Sequence, residues 1–295
     1  MTDQSFIPRT DLAAEALSPK EAERAGGVTL TEKNTDGIAE SVMEITDGTV
    51  AARLNKPEGK YITLSFDKPW LRESDYSEQI IDALCRRLQE LTPPLPEESG
   101  VLIVGLGNRE ITPDAIGPLT VREVNVTAHL RAENRALFDR LETNPVSAIA
   151  PGVTGQTGIE TLELVKGAIR GCSPALVVIV DALAARSVDR LVTTVQLTDS
   201  GISPGSGVGN HRGAFDRSSL GVPVIAIGVP TVVDSATLVY DALERAGVGG
   251  IPDSLRAVLE SGRSFFVSPK DSDIAAESLS KLLAAAINRT FSVEL

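Results

Sequence analysis

Residues 101–118 read VLIVGLGNREITPDAIGP. VLIVGLG is a continuous apolar run closed by glycines. Such a run marks a strand buried on both faces, which occurs where a parallel sheet is covered on its two sides. The turn that follows has the look of a phosphate cradle but carries no lysine. GLGNRE (105–110) lacks the third glycine of a dinucleotide fingerprint, and no GxxxxGK[ST] occurs in the chain, so a nucleotide has little support. The turn carries Asp114 instead, after Pro113, at the head of the helix-like stretch DAIGPLTVREV (114–124), where a carboxylate suits the helix dipole.

The same alternation continues outward. Strands are expected at SAIAPG (147–152), ALVVIVDA (175–182), LVTTVQLTD (191–199), VPVIAIGVP (222–230) and RSFFVSP (263–269). Helices are expected at 75–92, 157–171, 234–247 and 272–291. Apolar strands alternating with helices predict a three-layer α/β/α domain with a largely parallel central sheet. Upstream, MEITDGTVAARL and YITLSF make 39–66 an accessory strand region, a smaller β-rich addition at the N-terminal side. The first 35 residues are polar and mixed, with one short helix in RTDLAAEALSPKEAERAGG and no core pattern.

Composition narrows the function. The 295 residues are 42% hydrophobic but only 4% aromatic, which supports one large aliphatic core. A net charge of -12 argues against a sequence-independent grip on nucleic acid. Cys85 and Cys172 are too few for a disulfide framework and fit a reducing compartment. No apolar run approaches the roughly 18 residues of a membrane span, and MTDQSFIPRT lacks signal-peptide shape, so a cytosolic protein is expected.

In open parallel sheets, reactive groups gather beyond the carboxyl ends of strands. Asp114, Asp181, Asp199 and Asp234 all follow apolar strands. If their strands are neighbours, Asp114 and Asp181 approach each other, share a proton and act as base and acid. The plainer reading of each acid is a helix N-cap or a solvated loop. Two glycine-rich stretches, PGVTGQTGIE (151–160) and PGSGVGN (204–210), can bring backbone N–H groups to an anion or a peptide carbonyl. Gly152, Gly155, Gln156, Thr157, Gly205 and Gly207 are therefore candidates for substrate or oxyanion contacts. Arg186 can hold a substrate carbonyl or form a structural ion pair. His129 and His211 cannot make a HExxH zinc site.

RTDLAAEA (9–16), VGLGNREITPDAIGP (104–118), VTAHL (126–130), IAPGVTGQTGIET (149–161), DALAARS (181–187), PGSGVGN and GVPVIAIGVPTVVD (221–234) together resemble the spore germination proteases of endospore-forming bacteria, peptidase family A25. The resemblance runs from near residue 9 to the last helix. It implies an endopeptidase that degrades small acid-soluble spore proteins in the spore core during germination, without a cofactor, and with Asp114 and Asp181 as catalytic aspartates. It also implies a homotetramer and a zymogen that cuts itself after an acid, before an aliphatic residue and alanine. Here that bond is Asp11–Leu12, which makes residues 1–11 a propeptide and 12–295 a single peptidase domain. The stretch between Tyr240 and Phe266 is shorter than in Bacillus members.

Two other readings stand beside this one. GLGN before an acid, and a strand ending in DA, also resemble the hydrogenase maturation endopeptidases, whose fold is expected here and whose corresponding acids meet a metal. A metal-dependent endopeptidase would use the same two acids. A non-enzymatic module would use the glycine loops to bind a peptide or an anion.

Overall fold

The computed structural model describes residues 9–96, 98–205, 213–248, 252–259 and 265–293. Among these described residues, nine strands form one mixed sheet: β1 (Val28–Thr35), β2 (Ile38–Ile45), β3 (Gly59–Ser65), β4 (Val101–Gly105), β5 (Val146–Ile149), β6 (Leu176–Ala185), β7 (Thr194–Thr198), β8 (Val224–Asp234) and β9 (Phe266–Val267). Their order is β1-β2-β3-β7-β8-β6-β4-β5, with β9 beside the end of β8. The half formed by β5, β4, β6 and β8 is parallel. From β8 outward through β7, β3, β2 and β1 every pairing is antiparallel.

The continuous apolar runs are explained by what covers the parallel half. Val101, Ile103, Val178 and Val180 pack on one face with the helices Ser74–Leu91 and Ser272–Phe291. The alternate residues Leu102, Val104, Val177 and Ile179 pack on the other with Val165 of the helix Thr161–Cys172. Side chains of a strand point alternately to the two faces, so both registers must be apolar when both faces are covered. The expected three layers are present, and the accessory strands extend the same sheet.

Several local expectations need correction. TVAARL is not a strand but part of the helix Gly48–Leu54. The Asp47 carboxylate accepts from the Thr49 and Val50 amides, and Asn55 ends the helix in a left-handed conformation. The helix expected over 157–171 begins at Thr161, because Gly158 at φ +71° closes a separate short turn, Thr154–Thr157. The helix expected over 114–124 is a 3-10 turn, Thr112–Asp114, followed by Ile116–Arg122. Among the described residues, the last strand is two residues long. The largest difference is at the N-terminal side. Residues 9–35 carry no visible core pattern, yet Leu12 and Ala13 are fully buried, Ala22 is buried, and Val28–Thr35 pairs as β1. Isolated apolar residues among polar ones leave no periodic signal, but each fills a specific gap.

Candidate active site

The site begins with two glycines that let a helix approach the sheet. A Cβ on Gly105 would lie 2.2 Å from the Gly117 carbonyl oxygen, and one on Gly117 would lie 2.2 Å from the Leu106 carbonyl oxygen. Only hydrogen fits at either position, so the helix Ile116–Arg122 sits directly on the end of β4. The turn between them is thereby pulled tight, and Asp114 is held at its close. The Asp114 Oδ2 accepts from the Asn108 amide at 2.7 Å. Gly107, at φ +113°, passes so near that a Cβ there would fall 2.0 Å from the Asp114 carbonyl oxygen. From β8, the Thr231 hydroxyl donates to the Pro113 carbonyl at 2.6 Å. The glycine turn is a mount for a carboxylate.

Asp181 comes from the neighbouring strand. Gly105 of β4 stands opposite Val180 of β6, so Asp181 is the first residue of β6 beyond the end of β4. It is buried, and its Oδ1 accepts from the Ala182 amide at 2.9 Å. Asp114 and Asp181 line one cavity of about 470 Å³ at the carboxyl ends of β4, β6 and β8, together with Gly107, Gly152, Gly205, Thr231 and Phe266. Asp11 lines it too.

The segment around Asp11 is strapped down along β6. The Asp11 amide donates to the Ala184 carbonyl at 2.9 Å, and the Ala184 amide donates back to the Asp11 Oδ2 at 2.9 Å. Leu12 is fully buried among Leu183, Ala185, Leu191 and Val233. Ala13 is fully buried in the separate cluster of Met43, Ile45, Val50 and Tyr61. Glu15 fixes the turn from the far side: its carboxylate accepts from the Thr10 hydroxyl and from the Arg186 and Ser187 amides.

The remaining sequence candidates divide. Gly152 and Gly205 line the cavity. Gln156 reaches it indirectly, donating at 2.7 Å to the side chain of Asn108, whose amide holds Asp114. Gly155 is exposed with nothing near a Cβ position, and Thr157 is exposed and bonds within its own turn. Gly207 and His211 lie outside the described residues. The Arg186 guanidinium pairs with Glu244 and Asp241 and stacks on Tyr240, away from the two aspartates. Two of the four strand-end acids follow the plainer reading. Asp234 caps the helix Ser235–Arg245 through the Thr237 amide, and Asp199 accepts from the Lys60 amide. His129 is exposed. Lys56, Gln196 and Thr231 carry no functional signal in the sequence. Lys56 sits in LNKPEGK, which reads as a solvated turn, and Gln196 is one polar residue in an alternating strand.

This geometry can be set against known proteins. The germination protease family model, peptidase family A25, matches residues 9–246. The chain belongs to this family. It is therefore a peptidase, which sets aside the reading as a non-enzymatic module. The germination protease of Caldanaerobacter subterraneus subsp. tengcongensis is 45% identical over 236 residues, spanning 80% of this chain and 72% of that one. That of Clostridium perfringens is 37% identical over 311 aligned positions, spanning 95% and 94%. That of Priestia megaterium is 40% identical over 252, spanning 81% and 67%. Among solved structures, a NiFe hydrogenase maturation protease from Thermococcus kodakarensis superposes with a TM-score of 0.37 and 18% identity, covering 68% of this chain and 99% of that one. No helix among the described residues is long and apolar enough to cross a membrane.

Proposed function

We propose that this peptidase is an endopeptidase that starts the breakdown of small acid-soluble spore proteins at germination, and that it is made as a zymogen which cuts its own Asp11–Leu12 bond. The observation that carries this reading is the position of Asp11, which lines the same cavity as Asp114 and Asp181. In the proposed reaction the two aspartates share one proton. The ionised one takes a proton from water, the water oxygen attacks the Asp11 carbonyl carbon, and the protonated one supplies a proton to the departing Leu12 nitrogen. The peptide bond and one water become a carboxylate and an amine.

The docked segment also accounts for an acid–aliphatic–alanine preference. The acid is read by the Ala184 amide. The aliphatic residue fills the apolar pocket of Leu183, Ala185, Leu191 and Val233. Alanine follows because its site is closed: Ala13 has no exposed surface, and close-packed interiors admit extra methylenes only with strain. A spore protein entering the site would present the same three side chains in place of residues 11–13.

Intact mass of the purified chain over time tests this. Wild type is expected to lose residues 1–11 and to cleave a spore-protein peptide with an acid–aliphatic–alanine site, and Asp114→Asn to do neither. Processing of Asp114→Asn at the wild-type rate would overturn the assignment.

A further inference from the structure

The bond proposed to be cut is gripped on its oxygen by groups that come from neither aspartate nor the glycine loops. The Lys56 Nζ donates to the Asp11 carbonyl oxygen at 2.7 Å and approaches the Thr10 carbonyl at 3.4 Å. The Gln196 Nε2 donates to the same Asp11 oxygen at 3.4 Å, while its Oε1 accepts from the Ala13 amide at 2.7 Å. On the nitrogen side, the Leu12 amide donates to the Thr10 Oγ1 at 3.0 Å. Asp11 and Leu183 stand between two cavities. One, of about 470 Å³, holds Asp114 and Asp181; the other, of about 420 Å³, is lined by Lys56, Tyr61, Gln196 and Ser200. The acids and the ammonium thus meet Asp11 from different cavities.

We propose that Lys56 is a catalytic residue of this peptidase, the electrophile that with Gln196 stabilises the oxyanion formed on the carbonyl before the cut bond. The proposal rests on the self-cleavage reading above. When water adds to the Asp11 carbonyl carbon, the carbonyl π electrons move onto oxygen. That oxygen already faces an ammonium and an amide N–H. When the bond to the Leu12 nitrogen breaks, the C=O re-forms, the nitrogen leaves with a proton, and Asp11 ends as a carboxylate beside the ammonium. A preorganised donor aimed where charge develops needs no rearrangement during the reaction. Gln196 adds registration, because one side chain holds the carbonyl before the bond and the amide of the residue after Leu12. This assigns the oxyanion role away from the amides of the glycine loops at Gly152 and Gly205. The charges facing the ammonium are Asp11 and Glu15; burial pushes the Lys56 pKa down and these two push it up, with burial the larger effect.

The test follows loss of residues 1–11 by intact mass in the full chain. Wild type, Asp114→Asn, Lys56→Met and Lys56→Cys are compared, the last before and after alkylation with 2-bromoethylamine, which rebuilds a lysine-like ammonium. Alkylated wild type controls for reaction at the native cysteines, and a thermal melt of each variant checks the fold. Removing one oxyanion donor costs roughly 100- to 1,000-fold in rate, so Lys56→Met and unalkylated Lys56→Cys are expected to process about that much more slowly, and alkylated Lys56→Cys to recover. Lys56→Met processing at the wild-type rate would overturn the role of Lys56 and leave the aspartate reading standing. A slow Lys56→Cys that alkylation does not restore would also overturn it, since a folded chain with the ammonium returned lacks only what the proposal does not name. Wild type that never processes, or Asp114→Asn that does, would overturn the self-cleavage reading and the clamp with it.

Discussion

Gly107 decides where Asp114 sits, and adding one methyl group there tests the mount directly. In Gly107→Ala the new Cβ would fall 2.0 Å from the Asp114 carbonyl oxygen and 3.0 Å from its Oδ1. Real Cβ contacts essentially never fall under 3.0 Å, so the turn and Asp114 must separate by at least 3.0 − 2.0 = 1.0 Å. The backbone offers no relief, because φ +113° is itself unfavourable for alanine, at a cost of about 1–3 kcal/mol. A misplacement of about 1 Å at a reacting group costs roughly 100-fold in rate. The variant should therefore remain folded but cleave a quenched-fluorescence peptide spanning residues 6–18 about 100-fold more slowly, with most of the loss in kcat. Urea unfolding run in parallel separates the stability cost from the rate. Gly171→Ala is the control: it lies in the helix Thr161–Cys172 with nothing within 4 Å of its Cβ, and should gain about 0.5–1 kcal/mol with an unchanged rate. Wild-type turnover by Gly107→Ala would refute the idea that this turn exists to place the carboxylate.

Four further outcomes are expected. Asp181→Asn should abolish peptide cleavage while the melting temperature stays near wild type; substantial turnover would remove Asp181 from the chemistry. Self-processing should be first order, with a rate constant independent of protein concentration, because Asp11 is docked in the cavity of its own chain; a rate rising with concentration would mean that one molecule cuts another. Leu12→Ala should cost the full chain about 2–5 kcal/mol in urea unfolding, as for other fully buried leucines. An effect no larger than that of Leu71→Ala, an exposed leucine, would mean that the segment is not part of the core. Glu40 gives a pH signature. Burial raises its carboxyl pKa, but hydrogen bonds from Arg87 and Lys33 outweigh this and hold it below the usual 4.5. A lowered folded-state pKa means its contribution is complete above the unfolded value and is lost as pH falls through the folded one. Glu40→Gln should therefore cost about 1–3 kcal/mol near neutrality, less than a fully buried pair because Arg87 keeps some solvent contact. The gap from wild type should shrink as the pH is taken below 4.5, and a gap constant down to acid unfolding would contradict the assignment.

Read alone, the chain shows the covered parallel half of the sheet and four acids, Asp114, Asp181, Asp199 and Asp234, after its apolar strands. Covering a strand on both faces forces every residue of VLIVG and LVVIV to be apolar, which is a local signature. The Gly-X-Gly turn before Asp114 is equally local, because a close backbone approach excludes a Cβ whatever the rest of the fold does. The acid–aliphatic–alanine run at 11–13 stands out only through the family resemblance and not as core, since three residues have no period. That this run lies along β6, in the cavity of Asp114 and Asp181, depends on how the sheet is assembled. The same assembly brings Lys56, 45 residues away, and Gln196, 185 residues away, onto the carbonyl oxygen of Asp11. Those contacts depend on β3 and β7 extending the parallel half as an antiparallel wing. A lysine in a turn and a glutamine in a strand are ordinary in their own neighbourhoods, and what makes them unusual is the atom the sheet delivers to them.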